Sequence, residues 1–89
     1  MSDLKEKLLA GATVIDVRTA GEYKDDHFPG AKNIPVDLLP SRMAEVGPKD
    51  RPVVVYCASG GRSAIARAML KANGFLDVTD AGGFANMPA

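Results

Sequence analysis

"RPVVVYCASGGRSAIARAML", residues 51–70, runs from an apolar, β-branched segment into a stretch of helix formers, and the only cysteine of the chain sits at the join. Residues 51–57 carry the pattern of a strand covered on both faces and predict a central strand. Beyond the glycines, Ile65, Ala68, Met69 and Ala72 repeat at helical spacing, and Gly74 suits the left-handed position past a helix end. The spacing predicts a helix over 63–73. A strand, a short loop and a helix in that order form half of a parallel-sheet unit.

Working outward, "ATVIDV" (12–17) reads as a second buried strand and "LDVTD" (76–80) as a last short one, followed by an irregular tail, "AGGFANMPA" (81–89). Ser2 is expected to cap a short first helix that shows Leu4 and Leu8 on one face and stops at Gly11. Thr19 and Glu22 have the spacing of a capping box, in which each side chain satisfies the other residue's backbone N–H. "HFPGAKNIP" (27–35) predicts a turn and a short extended piece. Asp37 is expected to cap a further helix with Pro40 in its first turn, with Leu39, Met43 and Val46 on one face, ending at Gly47-Pro48. Strands alternating with helices imply an α/β fold. We expect one domain over residues 1–89, with a mainly parallel sheet of four to five short strands and helices on both faces.

Composition narrows the function classes. An 89-residue chain has room for one modest core, and 46% hydrophobic with 25% charged residues suits a globular protein. A formal net charge of zero gives no electrostatic case for nucleic acid or an anionic membrane surface. The longest apolar run, 53–58, is far too short to span a bilayer, and "MSDLKEKLLAGA" is too charged for a secretory signal. One cysteine forms no internal disulfide and supplies no zinc site of several thiolates. The expectation is a reducing compartment, the cytoplasm.

In parallel sheets ligands bind beyond the carboxyl ends of the strands, where Cys57 is expected to sit. Ala58, Ser59, Gly60, Gly61 and Arg62 then separate it from the helix. Such a loop can turn its backbone N–H groups inward as an anion nest, and Gly60 and Gly61 allow the dihedral angles this requires. The helix start adds unpaired N–H groups, Arg62 adds a cation, and Ser63 is the expected N-cap. A thiolate there is stabilised relative to the thiol, making Cys57 a candidate nucleophile. The plainer alternative is a small apolar residue ending a strand, with glycines that serve only the turn.

The segments "IDVRTAGEYKDDHFPGAKNIPVD" and "VVVYCASGGRSAIARAMLKANGF", with "AGG" in the tail, resemble the signature regions of rhodanese-like domains in order and spacing. The resemblance implies that Cys57 takes a sulfane sulfur from thiosulfate or a similar small anionic donor, becomes a persulfide, and passes the sulfur to cyanide, a thiol or a protein acceptor. It implies that the amides of residues 58–62, with Ser63, cradle the persulfide and the leaving sulfite. No metal or organic cofactor is required, because sulfur is both nucleophile and cargo. A monomer or weak dimer is expected, without nucleic-acid or membrane partners.

Two rival readings remain. Phosphatases and arsenate reductases of the related fold also use a cysteine, a loop of amides and an arginine, but phosphatase loops place five residues between the two. Here there are four, giving a tighter nest suited to a sulfur atom. Alternatively, the chain is a sulfur carrier or binding module that works with a dedicated protein partner. Among supporting residues, the resemblance implies that Asp16 and Arg18 brace the active-site loop and that His27 is a structural element at a helix-to-turn junction. A Cys57–His27 dyad is the chemical alternative, and Glu22 and Tyr23 read as cap and packing. Gly82-Gly83 reads as a rim of the site or a simple bend. The chain departs from the family pattern at Asp26, where glycine is usual. It lacks the family's N-terminal strand, which would leave a sheet edge open to another chain. It also lacks a closing tryptophan, for which Phe84 and Met87 can substitute.

Overall fold

The computed structural model describes residues 2–88; the expected Ser2 cap concerns a side chain outside those described. Helix α1 (Ser2–Leu9) leads into strand β1 (Thr13–Asp16), helix α2 (Ala20–Asp25) and the two-residue strand β2 (Lys32–Asn33). A 3-10 helix (Leu39–Glu45), strand β3 (Val53–Cys57), helix α3 (Gly61–Ala72), strand β4 (Val78–Gly83) and a 3-10 turn (Phe84–Asn86) follow. The four strands form one parallel sheet in the order β2-β1-β3-β4. The central position expected for residues 51–57 is therefore observed, and all five residues of β3 are buried.

Alternation along β3 divides the interior in two. Val53, Val55 and Cys57 enter a cluster with Ile15, Val17, Leu39, Ala66 and Leu70, on the side covered by α3 and the 3-10 helix. Val54 and Tyr56 enter a second cluster with Val14, Ala31 and Met87, against which Leu4 and Leu8 of α1 pack. Both faces are thus covered, the condition for a strand apolar at every position.

Three local expectations are corrected. Helix α3 starts two residues earlier than its apolar spacing suggests, with Gly60 at the N-cap and no side-chain cap. Ser63 is therefore not the cap; it lies in the first turn and is buried. The face toward the sheet is Ser63, Ala66 and Leu70, whereas Ile65 is 53% exposed. Small residues let the first turn approach the loop, and this close fit sets the register. Asp37 does not cap its helix: Leu38 holds that position, the segment is 3-10 in type, and it is interrupted at Arg42 (φ −120°, ψ 21°). The stretch read as an irregular tail instead continues β4 to Gly83, with a register shift that pairs Val55 with Asp80 but Tyr56 with Gly82.

The sheet has four strands, and β4 stands at one edge with no strand beyond it among the described residues. The Val78 carbonyl accepts from Arg67 Nε (2.9 Å), the Ala81 carbonyl accepts from Asn86 Nδ2 (3.0 Å), and the Gly82 N–H donates to Asp80 Oδ1 (2.8 Å). With a bulge and side chains on these groups, β4 is blunted as a template for another strand. The substitutes for tryptophan are in place. Phe84 stacks on Tyr56 with centroids 5.5 Å apart, and Met87 is buried beside it. No helix among the described residues is long and apolar enough to cross a membrane.

Candidate active site

Strand β3 delivers Cys57 to the carboxyl edge of the sheet, and the chain must reverse there within three residues to start α3. Gly60 makes that reversal at φ +104°, a conformation that strains any residue with a Cβ. The turn folds the loop back over the sulfur. Gly60 N–H donates to Cys57 Sγ at 3.0 Å and Ser63 N–H donates at 3.3 Å, while Ser63 Oγ lies 3.5 Å away. As a thiol, Cys57 donates to that hydroxyl; as a thiolate, it accepts from it. The Ser63 hydroxyl is otherwise occupied by the Gly60 carbonyl at 3.1 Å and the Gly82 carbonyl at 3.4 Å.

Burial raises the Cys57 thiol's pKa, but hydrogen bonds from the Ser63 hydroxyl and from the N–H groups of Ser63, Gly60 and Ser59 outweigh it. The net shift is downward. A thiolate is favoured here by donors rather than by a facing cation. Cys57 is 1% exposed, whereas Ala58, Ser59 and Gly61 are exposed and surround the approach to it.

The Arg62 guanidinium pairs with Glu22. Nη1 donates to Oε1 at 2.7 Å and Nη2 donates to Oε2 at 3.1 Å, linking the loop to α2. Glu22 is also the N3 residue of the expected capping box: Thr19 N–H donates to its Oε1, and its own N–H donates to Thr19 Oγ1. Held first by the Arg62 hydrogen bonds and then by the Thr19 N–H, its carboxyl pKa falls to about 2. Thr19 and Glu22 were legible as a cap, but nothing local in the sequence signals a partner forty positions away.

Asp16 lies on the opposite face of the sheet from Cys57, with Tyr56, so any brace of the loop by Asp16 and Arg18 runs through intervening groups. Residue alternation puts Asp16 beside its partner Tyr56, whose hydroxyl donates to Asp16 Oδ2 at 2.8 Å. Arg18 donates to the same carboxylate through Nε and through Nη2 at 2.6 Å, and Nη2 also donates to the Asp26 carbonyl. The pair therefore ties the first strand to the turn after α2. Burial pushes the Tyr56 phenol up to about 12, and the Asp16 carboxylate that accepts its proton adds to the shift. The connection to the loop is indirect. The Arg18 guanidinium lies 4.6 Å from the centroid of the Phe84 ring, and Phe84 follows Gly83, which pairs with Cys57.

His27 donates through Nδ1–H to the Tyr23 carbonyl (2.8 Å), and its ring stacks on Tyr23 at 3.7 Å. Its recorded hydrogen bond is to α2, and those of Cys57 Sγ are to Gly60 and Ser63. The geometry sets His27 as a junction residue rather than in a dyad. Among the described residues no group of three or more His, Cys, Asp or Glu side chains is placed to hold a metal ion. A groove of about 390 Å³ lies elsewhere, between α1 and the Phe28-Pro29-Gly30 turn.

Gly83 forms the far wall of the loop. A Cβ built there would stand 2.7 Å from the Ala58 carbonyl oxygen, a backbone atom one residue from the sulfur. Gly83→Ala is expected to cost about 1–3 kcal/mol by forcing that loop outward. Gly61→Ala, where no atom lies within 4 Å of the new Cβ, is expected to cost under about 0.5 kcal/mol. Urea titration of the two variants compares them; equal stabilities would refute the close approach.

The chain is similar to known proteins. Residues 1–86 match the rhodanese-like domain. The chain is 41% identical over 75 residues to a sulfurtransferase of Allochromatium vinosum, covering 84% of this chain and 64% of that one. It is 40% identical over 70 residues to a thiosulfate sulfurtransferase of Escherichia coli, covering 78% and 67%. The chain thus spans about two thirds of the length of these curated relatives. A rhodanese from E. coli, solved with anions, superposes with a TM-score of 0.81 at 35% identity, covering 86% of this chain and 92% of its own. A human single-domain sulfurtransferase gives a TM-score of 0.79 at 25% identity, covering 97% and 89%. A parallel sheet that ends in a cysteine-bearing turn, with a match running across nearly every residue, leaves one assignment: the chain belongs to the rhodanese-like domain family.

Proposed function

We propose that this protein is a sulfurtransferase of the thiosulfate type that works through a persulfide on Cys57, with residues 1–89 acting as one domain. The observation that carries the reading is the convergence of the Gly60 and Ser63 N–H groups on Cys57 Sγ. In the first half-reaction the thiolate attacks the outer sulfur of thiosulfate, the bond between the two sulfurs breaks, and sulfite leaves with the electron pair. In the second, cyanide, a thiol or a protein acceptor attacks the outer persulfide sulfur and Cys57 leaves as thiolate. The sulfur carries negative charge before, between and after these steps, so fixed N–H donors stabilise all of them without rearrangement. A lowered thiol pKa favours both the attacking form and the departure of the thiolate. Ala58, Ser59, Gly61 and Arg62 bound the approach of the donor; Asp16, Arg18 and His27 hold the surrounding scaffold.

A phosphatase reading is disfavoured by the short loop and by Arg62, whose two terminal nitrogens are engaged by Glu22 rather than presented to a phosphate. The partners in this reading are a small anionic donor and a thiophilic acceptor, the working species is a monomer or weak dimer, and the compartment is the reducing cytoplasm.

Intact-mass measurement tests the proposal. Incubation with thiosulfate is expected to add the mass of one sulfur atom, and cyanide to remove it as thiocyanate in a ping-pong pattern. Failure to gain sulfur would sink thiosulfate as donor. The pH dependence gives a second check. Because the donors stabilise the charged form, Cys57 ionises below the ordinary thiol midpoint of about 8.5, and its reactivity falls only as pH drops through that lowered midpoint. Iodoacetamide alkylation followed against pH should show this early midpoint, and Ser63→Ala should move it upward. A midpoint at or above that of free cysteine would contradict the donor arrangement.

A further inference from the structure

We infer that Glu22 is a specificity-determining residue: by clamping Arg62 it withholds that cation from the bound donor, so the site reads its substrate through backbone N–H groups rather than through a full positive charge. This rests on the persulfide reading above and assigns a role at the same site to a residue forty positions from the loop. Arg62 lies in the first turn of α3 and neighbours Ser63, whose N–H points at the sulfur. Its guanidinium is the loop's only formal charge, yet both of its terminal nitrogens engage Glu22, at 2.7 and 3.1 Å. Glu22 is not free to yield to an arriving anion. Its Oε1 also accepts from the Thr19 N–H (3.0 Å) and from Thr19 Oγ1 (3.1 Å), so the capping box holds it in place. The two side chains are 34% and 35% exposed, close enough to solvent for the guanidinium to reorient once its partner is gone.

A free guanidinium at the rim would attract a dianion more strongly than a monoanion, and would hold the sulfite product as well as the thiosulfate substrate. Uniform tightening of that kind lowers KM without accelerating the chemistry, and it slows product release. The clamp therefore keeps the site from being blocked by its own leaving group. It also keeps the site open to acceptors and donors that are less charged than thiosulfate.

Glu22→Gln isolates the effect, because glutamine preserves the capping box while removing the negative charge. The expected result is a KM for thiosulfate and an inhibition constant for sulfite each lowered about threefold to tenfold, the scale of one partly screened unit charge, with kcat not increased. The KM for a monoanionic alkyl thiosulfonate should fall less. Adding Arg62→Gln to that variant should abolish the gain, returning both constants to the wild-type value or above. Arg62→Gln alone, with the carboxylate left uncompensated, should raise the KM for thiosulfate.

An unchanged or raised KM in a Glu22→Gln protein of wild-type thermal stability would overturn the inference. So would a gain that survives in the double variant, since removal of a repelling carboxylate would then explain it without Arg62. Protection of Cys57 from iodoacetamide by sulfite reads the same binding without any turnover. If wild type transfers no sulfur, the functional proposal fails while this titration still decides the role of Glu22: tighter protection in Glu22→Gln supports it and unchanged protection refutes it.

Discussion

A Cys57→Ser protein is expected to fold normally, to take up no sulfur from thiosulfate and to release thiocyanate at least about a thousandfold more slowly than wild type, the scale of losing a covalent nucleophile. Serine fits the site that holds the thiol. Its hydroxyl is smaller than the sulfur, it can accept the Gly60 and Ser63 N–H groups that point there, and it can exchange hydrogen bonds with the Ser63 hydroxyl. Stability should fall by no more than about 1–2 kcal/mol, the usual range for exchanging a buried apolar group for a hydrogen-bonded hydroxyl. The chemistry does not survive the exchange. These donors lower the pKa of the thiol, but an alcohol starts so much higher that it stays protonated. An oxygen nucleophile would also produce no persulfide to discharge. Steady-state thiocyanate formation and intact mass measure the loss together, and thermal melting separates it from misfolding. Appreciable turnover by the serine protein would move the reaction to another group.

Asp16→Ala should be the most destabilising of the single changes considered, at about 3–5 kcal/mol, the range for stripping one partner from a buried ion pair. Asp16 is wholly buried and Arg18 is 6% exposed. The carboxylate accepts from Arg18 N–H at 2.9 Å, from Arg18 Nε and Nη2, and from the Tyr56 hydroxyl. Alanine would leave a guanidinium with no counter-charge inside the protein and a phenol proton with no acceptor. It would also release the hold on the turn after α2, where Phe28 N–H donates to Tyr56 Oη and Arg18 meets the Asp26 carbonyl. A domain of this size melts about 4–8 °C lower per kcal/mol lost, so the midpoint should drop by tens of degrees, bringing the fold near its limit. Asp16→Asn keeps the shape and some hydrogen bonds and should lose less. Sulfur transfer by whatever Asp16→Ala protein remains folded should be near normal, because the pair touches the far side of the sheet. A loss below about 1 kcal/mol would mean the pair is hydrated in solution.

Much of this protein was determined by short-range physics and was therefore legible in the sequence. The β-branched run at 51–57 could be satisfied only by cover on both faces, and the observed β3 is buried throughout. Thr19 and Glu22, three positions apart, satisfy one another without help from the rest of the chain. The two glycines after Cys57 marked the reversal that brings N–H groups back to the sulfur, and Gly60 makes it.

Tertiary structure decided what depends on which surface meets which. The buried face of α3 is Ser63, Ala66 and Leu70, with Ile65 left exposed, because a helix settles where it packs tightest. The extension of β4 through Gly82-Gly83 needed β3 beside it, since two glycines carry no strand signal of their own. The side of the sheet that received Asp16 followed from pairing with Tyr56, so any brace of the loop by Asp16 and Arg18 runs through intervening groups. The fork between Glu22 and Arg62 joins groups that only the crossover from β1 to β3 brings together. Local pattern set the thiol and its amides in one turn; the folded sheet alone determined which charges stand around them.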